Sequence, residues 1–185
     1  LFDILIELGR DVRTIYTDGG WKKIPSSSDP LNHSVASGGV IILQYENGSY
    51  SCIQIAMDLQ VKSVYPVELL ALAAARIIAR GSRFNPEIHS DSTAAINTMK
   101  SISTGKIQKQ YLQYMVAHES LYAPLNLHHI KSHVEKRKKV IRDWTQHETG
   151  NYIADSLTLH NWVLQQEAHV YIGAKDFTIS RLAGF

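Results

Sequence analysis

The sequence predicts an α/β domain built on a five-stranded mixed sheet, three antiparallel strands followed by two parallel ones, flanked by helices. Three observations carry this. Asn47-Gly48 lies between two strand-like runs, and that dipeptide is the strongest short-range hairpin signal. Pro66 then opens an Ala/Leu-rich stretch whose apolar positions are no longer alternating but helical. Each later strand-like run is reached through a helix, and crossovers of that kind join parallel strands.

Taken in order, residues 1–10 are mostly apolar with two acids and read as a lead-in strand or helix remnant. Residues 11–17 form the first strand, rich in the β-branched and aromatic types that suit a pleated surface. Gly19-Gly20 is a turn signal, so the chain is expected to turn sharply after Asp18 into an exposed loop over residues 19–33. Residues 36–44 and 50–58 are the second and third strands. The helix over residues 67–80 is apolar on most faces, stops at Gly81, and is expected to be largely buried. Residues 87–91 make a short strand, and Asp91 or Ser92 caps a helix through Met99. A second helix over 106–122 ends at Pro124, and residues 125–131 are the fifth strand. A basic segment, residues 132–142, leads to Trp144, and Gly150-Asn151 opens a last helix to about residue 165. Residues 166–185 are a C-terminal tail with one strand-like run at 169–172.

At 185 residues the chain is one domain, or one domain with a tail. A net charge of +2 does not mark a nucleic-acid binder by itself; the placement of the charges matters more. A lone cysteine, Cys52, excludes disulfides and Cys-based zinc sites within the chain and fits an intracellular protein, cytoplasmic or nuclear. No window approaches the roughly 18–20 apolar residues of a membrane span. The start on Leu1-Phe2, without Met or a basic lead-in, reads as a domain cut from something longer rather than a signal peptide.

The chemistry lies in four acids. Asp18 and Asp91 each end a strand, so in adjacent strands both carboxylates project at one sheet edge. An unpaired ion at the edge of an apolar core is expensive, and Asp18 needs a basic side chain, the amides of its turn, or a metal. Glu68 is an acid near the start of an otherwise apolar helix, and Asp155 lies one turn beyond Asn151 on the same helix face. Singly, each has a plainer reading: a turn residue, a helix-dipole acid, an N-cap, a solvated helix acid. Four acids converging without cations would repel, and at least one would stay protonated. A pair of divalent cations removes that penalty, and all-oxygen donors suit Mg²⁺ or Mn²⁺.

Tyr16-Thr17-Asp18-Gly19-Gly20, Glu68-Leu69-Leu70-Ala71, His89-Ser90-Asp91-Ser92, Ile130-Lys131-Ser132-His133 and Gly150-Asn151-Tyr152-Ile153-Ala154-Asp155 resemble the motifs of the ribonuclease H family. They occur in that family's order and on its elements, across residues 11–165. Each motif alone is weak; five in register are specific. The resemblance implies the ribonuclease H-like fold, makes residues 11–165 the catalytic domain, and implies hydrolysis of the RNA strand in RNA–DNA hybrids. It also implies that Asp18, Glu68, Asp91 and Asp155 hold two Mg²⁺ ions (Mn²⁺ as the alternative), with Asp18 bridging, and that products carry 5′-phosphate and 3′-hydroxyl ends.

Two departures stand out. Where the family places a mobile histidine shortly before the last aspartate, this chain has Thr145. His133 follows the expected Ile-Lys-Ser lead-in but precedes Asp155 by 22 positions; His147 precedes it by eight. His133 is the favoured catalytic histidine and His147 the second choice. The basic handle carried by some members is absent, and its charge is expected in Lys136, Arg137, Lys138 and Lys139, which would face DNA phosphates. Gly19, Gly20, Ser92 and Asn151 are the expected contacts to the RNA strand, whose wide minor groove is read by shape and 2′-hydroxyls. The altered histidine loop points to a domain of a retroelement reverse-transcriptase polyprotein, with the polymerase domain as partner. The rival readings are a non-catalytic tether within a polymerase, which would lose an acid, and an integrase or exonuclease of the same superfamily, which usually carries three.

Overall fold

The computed structural model describes residues 2–25, 33–57, 63–104, 126–158, 166–172 and 175–183. Helix α1 (Phe2–Leu8) leads into β1 (Val12–Pro25), β2 (His33–Tyr45) and β3 (Tyr50–Met57). Helix α2 (Tyr65–Arg80) precedes β4 (Glu87–Ser90), and α3 (Thr93–Ser103) follows it. Then come β5 (Leu127–His129), a single turn α4 (Val134–Arg137), a 3₁₀ turn at Ile141–Asp143, α5 (Gln146–Leu157), β6 (Gln166–Ile172) and β7 (Lys175–Ala183). The expected helix over 106–122, the loop over 26–32 and the end of the last helix beyond residue 158 lie outside the described residues.

The sheet order is β5-β4-β1-β2-β3-β7-β6. Its first five strands are the predicted ones: β1, β2 and β3 pair antiparallel, while β1–β4 and β4–β5 are parallel. The β2–β3 hairpin turns at Gly48, whose φ of +83° is a left-handed value that glycine adopts without strain. Beyond the prediction, β7 pairs antiparallel with β3 and β6 with β7, so the C-terminal stretch extends the sheet by two strands. Among the described residues no helix is long and apolar enough to cross a membrane.

Alternation along the strands divides the core into two. Ile15, Ile41, Leu43, Ile53 and Ile55 face α2, and Tyr16, Val40, Ile42 and Cys52 face α5 through Ala154. Helix α2 carries Pro66 in its first turn and buries eleven residues, Val67 and Leu69 through Ile78, all apolar but Arg76.

Two sequence expectations are corrected here. Gly19-Gly20 is not a turn: β1 continues through both, pairing Gly19 with Gly39 and Gly20 with Gly38. The glycines serve close approach instead. A Cβ on Gly19 would sit 2.8 Å from the backbone nitrogen of Glu68, and one on Gly39 would sit 2.9 Å from the Ala71 methyl. Gly19 and Gly39, paired across the two strands, give α2 a bare patch of sheet to seat on. Second, α5 does not open at Gly150 but at Gln146. Thr145 caps it, accepting from the Glu148 amide while the Glu148 carboxylate accepts from the Thr145 amide. Gly150 lies inside the helix because an added Cβ would stand 2.3 Å from the Tyr16 ring.

Candidate active site

Asp18 lies two residues beyond Tyr16 and so shares its sheet face, at the end of β1 that runs beside the carboxyl end of β4. Asp91 follows β4 directly, and Glu68 is brought over the strands by the close seating of α2 on Gly19. One carboxylate oxygen from each of Asp18, Glu68 and Asp91 lies within 4.8 Å of the other two. Asp18 is buried, at 6% exposure. Its Oδ1 accepts the Gly19 amide at 2.8 Å, so the backbone answers part of its need for a partner. Glu68 accepts a 2.7 Å bond from the Ser92 hydroxyl, which also caps α3 by accepting from the Ala95 amide.

Burial pushes the Asp18 carboxyl well above the usual carboxylate range, and Asp91, Asp155 and Glu68 push it further, against the Gly19 amide. Glu68 is raised by burial and by Asp91, with Ser92 opposing. Asp91 is raised by burial and by Asp155, while His133 and His129 pull it down. The charges acting most strongly on these three groups are one another, Asp155 and two histidines. The donor set therefore fits hard divalent cations: oxygen ligands, negative, crowded and held on rigid elements. Asp155, on α5, is close enough to raise both Asp18 and Asp91 but stays outside the tight trio.

His133 has a left-handed backbone, φ 56°, at the start of α4. Its half-exposed ring places Nδ1 3.9 Å from Asp155 Oδ2 and 3.3 Å from Glu135. His147 takes a different place. Its Nδ1 is 3.1 Å from the Tyr16 hydroxyl, its Nε2 is 3.8 Å from Glu87, and its ring stacks on His89 at 4.0 Å. Asn151 is buried at 2% exposure between α5 and the sheet, and Gly20 is buried in β1. Ser92 is buried at 8%, with its hydroxyl engaged by Glu68.

The basic segment divides in two. Glu148 holds Lys138 at 2.8 Å and Arg137 at 3.5 Å; the Lys138 bond and the Thr145 amide pull the Glu148 carboxyl down to about 2, below its usual range. The Lys138 carbonyl also accepts from the Trp144 indole at 3.0 Å, and Trp144 packs edge-on against Tyr152. Lys136 and Lys139 are exposed. The spacing of basic residues could not distinguish the two that anchor the loop from the two that face solvent.

Sequence reasoning missed one cluster: Glu87, His89 and His147, gathered beside Tyr16. Alternation along β4 puts residues 87 and 89 on one face, which was the available signal; the third member comes from α5, 58 positions after His89.

No family model matches the sequence, and no match was found among curated proteins. Solved structures do match. The RNase H domain of PFV has a TM-score of 0.55 at 18% identity over 82% of this chain and 94% of that one. The protease-reverse transcriptase of prototype foamy virus has a TM-score of 0.57 at 20% identity over 81% of this chain, which is 20% of that longer chain. A foamy viral protease-reverse transcriptase in complex with dsDNA has a TM-score of 0.51 at 19% identity, over 83% of this chain and 94% of that one. The strand order, the crossovers and these neighbours agree, and the chain has the ribonuclease H-like fold.

Proposed function

We propose that this domain is a metal-dependent endoribonuclease that hydrolyses the RNA strand of RNA–DNA hybrids, working as part of a reverse-transcriptase polyprotein. The observation that supports it most is the trio of Asp18, Glu68 and Asp91, with oxygens within 4.8 Å and carboxyls raised by burial and mutual repulsion. A structural carboxylate would be expected to sit against a lysine or arginine; these face one another. Asp155 completes the set from the other side of the strands. Two Mg²⁺ ions held there would supply an activated water and stabilise the leaving 3′-oxygen.

The chain's own residues would do the rest. Asp18, whose Oδ1 accepts the Gly19 amide, would contribute a carboxylate oxygen to the shared centre. Ser92 orients Glu68, so its part is positioning; a hydroxyl bonded to a carboxylate is poorly placed to contact substrate as well. His133, beside Asp155 and half exposed, would accept or release the proton next to the acidic set, whereas His147 is held by Tyr16 and Glu87. Lys136 and Lys139 are free to meet backbone phosphates next to the acidic edge. The named neighbours include proteins carrying reverse transcriptase, one of them bound to dsDNA, which supports the polymerase context.

The test is incubation with an end-labelled RNA–DNA hybrid, with and without Mg²⁺, beside duplex DNA and duplex RNA. Mg²⁺-dependent cuts in the RNA strand of the hybrid alone, leaving 5′-phosphates, are expected. Equal cutting of duplex DNA would favour the integrase or exonuclease reading, and hybrid binding without cutting would favour a tether.

A further inference from the structure

Away from the carboxylate trio, the same face of the sheet carries a second convergence of ligand atoms, and its chemistry is different. Glu87 and His89 come from β4 and His147 from the first turn of α5, with one ligand atom of each lying within 4.8 Å of the others. Glu87 Oε2 is the hub: His89 Nε2 lies 3.0 Å from it and His147 Nε2 lies 3.8 Å from it. Ligand atoms around one tetrahedral zinc are roughly 3.3 Å apart, given bonds of about 2.0–2.1 Å, so the two measured separations bracket the required one.

We propose that Glu87, His89 and His147 form a binding site for a late first-row divalent cation, Zn²⁺ foremost, that ties β4 to the start of α5. Two imidazoles and one carboxylate are a zinc donor set, with a fourth position left for water. Mg²⁺ favours all-oxygen donors and is a poor match. The hydrogen bonding of the rings also fits. His147 spends Nδ1 on the Tyr16 hydroxyl, leaving Nε2 toward Glu87; an outer hydrogen bond of this kind fixes which nitrogen is offered to a metal. His89 is held from both sides, stacked on His147 at 4.0 Å and on His128 at 5.2 Å, and is only 6% exposed. The stacked rings lie 25° apart, so convergence on one ion asks for a turn of the His147 ring. That ring is at the rim, 40% exposed, as is Glu87 at 48%, and the pair also gives the ion a way in. His128 stands 3.9 Å from the other Glu87 oxygen, where it can hold the carboxylate from behind.

The site does not depend on the hydrolytic reading, and its test separates the two. Zn²⁺ titration by calorimetry and Co²⁺ titration followed in the visible spectrum, both in millimolar excess Mg²⁺, should show one equivalent bound with the intense bands of tetrahedral cobalt. Zn²⁺ should also raise the melting temperature. His147→Gln should weaken Zn²⁺ by at least about 100-fold, since loss of even an outer partner costs 10–100-fold. Far-ultraviolet dichroism of the metal-free variant checks its fold, and Glu87→Gln, at the exposed rim, should show the same loss if His147→Gln does not fold. Asp18→Asn and His133→Gln should bind Zn²⁺ as the parent does. No Zn²⁺ binding by the parent chain would overturn the proposal. So would binding that survives both His147→Gln and Glu87→Gln, or that disappears in Asp18→Asn or His133→Gln, since the ion would then belong to the acidic edge.

Discussion

Asp18 and Asp155 come from β1 and α5, and Asp91 directly follows β4; Tyr16, His89 and His147 come from the same three elements, two residues before each strand aspartate and eight before the helix one. The two groups are thus neighbours on one scaffold with opposite ways of satisfying buried polarity. In the aromatic column the groups serve one another: the Tyr16 hydroxyl meets His147, and His147 stacks on His89. Burial and the adjoining His147 lower the His89 pKa to about 4, so the ring is neutral near pH 7. Burial raises the Tyr16 phenol, which therefore stays protonated. In the acidic pocket no such mutual service exists. Carboxylates only accept, so each added acid raises the others, and relief must come from protons or cations. One end of the layer holds together through its own rings and hydroxyl, whether or not an ion sits at its Glu87 rim. The other is built to be completed by something else.

The largest expected effect comes from removing charge at the acidic end. Asp18→Asn should lower hybrid cleavage by at least about 1,000-fold, the scale for losing a central member of a catalytic set. The same change should stabilise the metal-free protein at pH 7 by on the order of 1–2 kcal/mol. The sign follows from the raised carboxyl of Asp18. A pKa above its unfolded value near about 4 contributes stability below that value and loses it as pH rises. The advantage of the variant should therefore vanish below pH of about 4, where both states are protonated. Urea melts with EDTA at two pH values read this directly. A metal-free variant less stable than the parent at pH 7 would make Asp18 a structural residue and erase the contrast between the two ends.

Next in size is Gly150→Ala, which strikes the aromatic end. Alanine inside a helix normally gains about 1 kcal/mol over glycine. Here its Cβ would lie 2.3 Å from the Tyr16 ring, and overpacking of that kind costs about 1–3 kcal/mol before the displaced helix loses its own contacts. The clash should win, leaving the protein about 2 kcal/mol less stable in denaturant melts. A neutral or stabilising outcome would show that α5 is not pressed on β1. Tyr16→Phe is milder, about 1 kcal/mol for a hydrogen bond lost to a half-exposed ring. It should leave Mg²⁺-dependent cleavage within a few-fold of the parent if the two ends are independent.

Much of this was legible in the sequence, for physical reasons that also explain the rest. The hairpin at Gly48 and helix α2 are local events, set by one backbone conformation and one run of apolar residues, and both stand where the pattern put them. The trio of Asp18, Glu68 and Asp91 was readable because strand ends and helix starts are where a parallel crossover brings side chains together. Gly19-Gly20 misled because glycine has two uses. A turn needs its φ, while a close contact needs only its missing Cβ, and the partner that demands the contact is Glu68, 49 positions away. Gly150 misled the helix start in the same way, through Tyr16. The two added strands at the C-terminus were half visible, as the run at residues 169–172. Their pairing with β3 is a long-range fact that alternation does not encode.

The smallest expected effect concerns how the acidic end meets its substrate, and it turns on two lysines adjacent in sequence. Lys138 is bonded to Glu148 and to the Asp143 carbonyl, within the network that caps α5, whereas Lys139 is exposed. If the basic segment meets phosphates, Lys139→Ala should remove about one released counterion. The slope of log affinity against log salt would then fall by about 1, with stability unchanged. Lys138→Ala should do the reverse: little change in salt slope, and a stability loss of no more than about 1 kcal/mol, because surface ion pairs are worth little in water. Hybrid binding by anisotropy across a salt series, with catalysis suppressed by Ca²⁺ or by Asp18→Asn, measures both. Equal slopes for Lys139→Ala and the parent would take Lys139 out of the substrate interface. A slope change with Lys138→Ala would mean that the Glu148 bond opens when nucleic acid arrives, making the α5 cap part of substrate binding rather than a fixed support for Asp155.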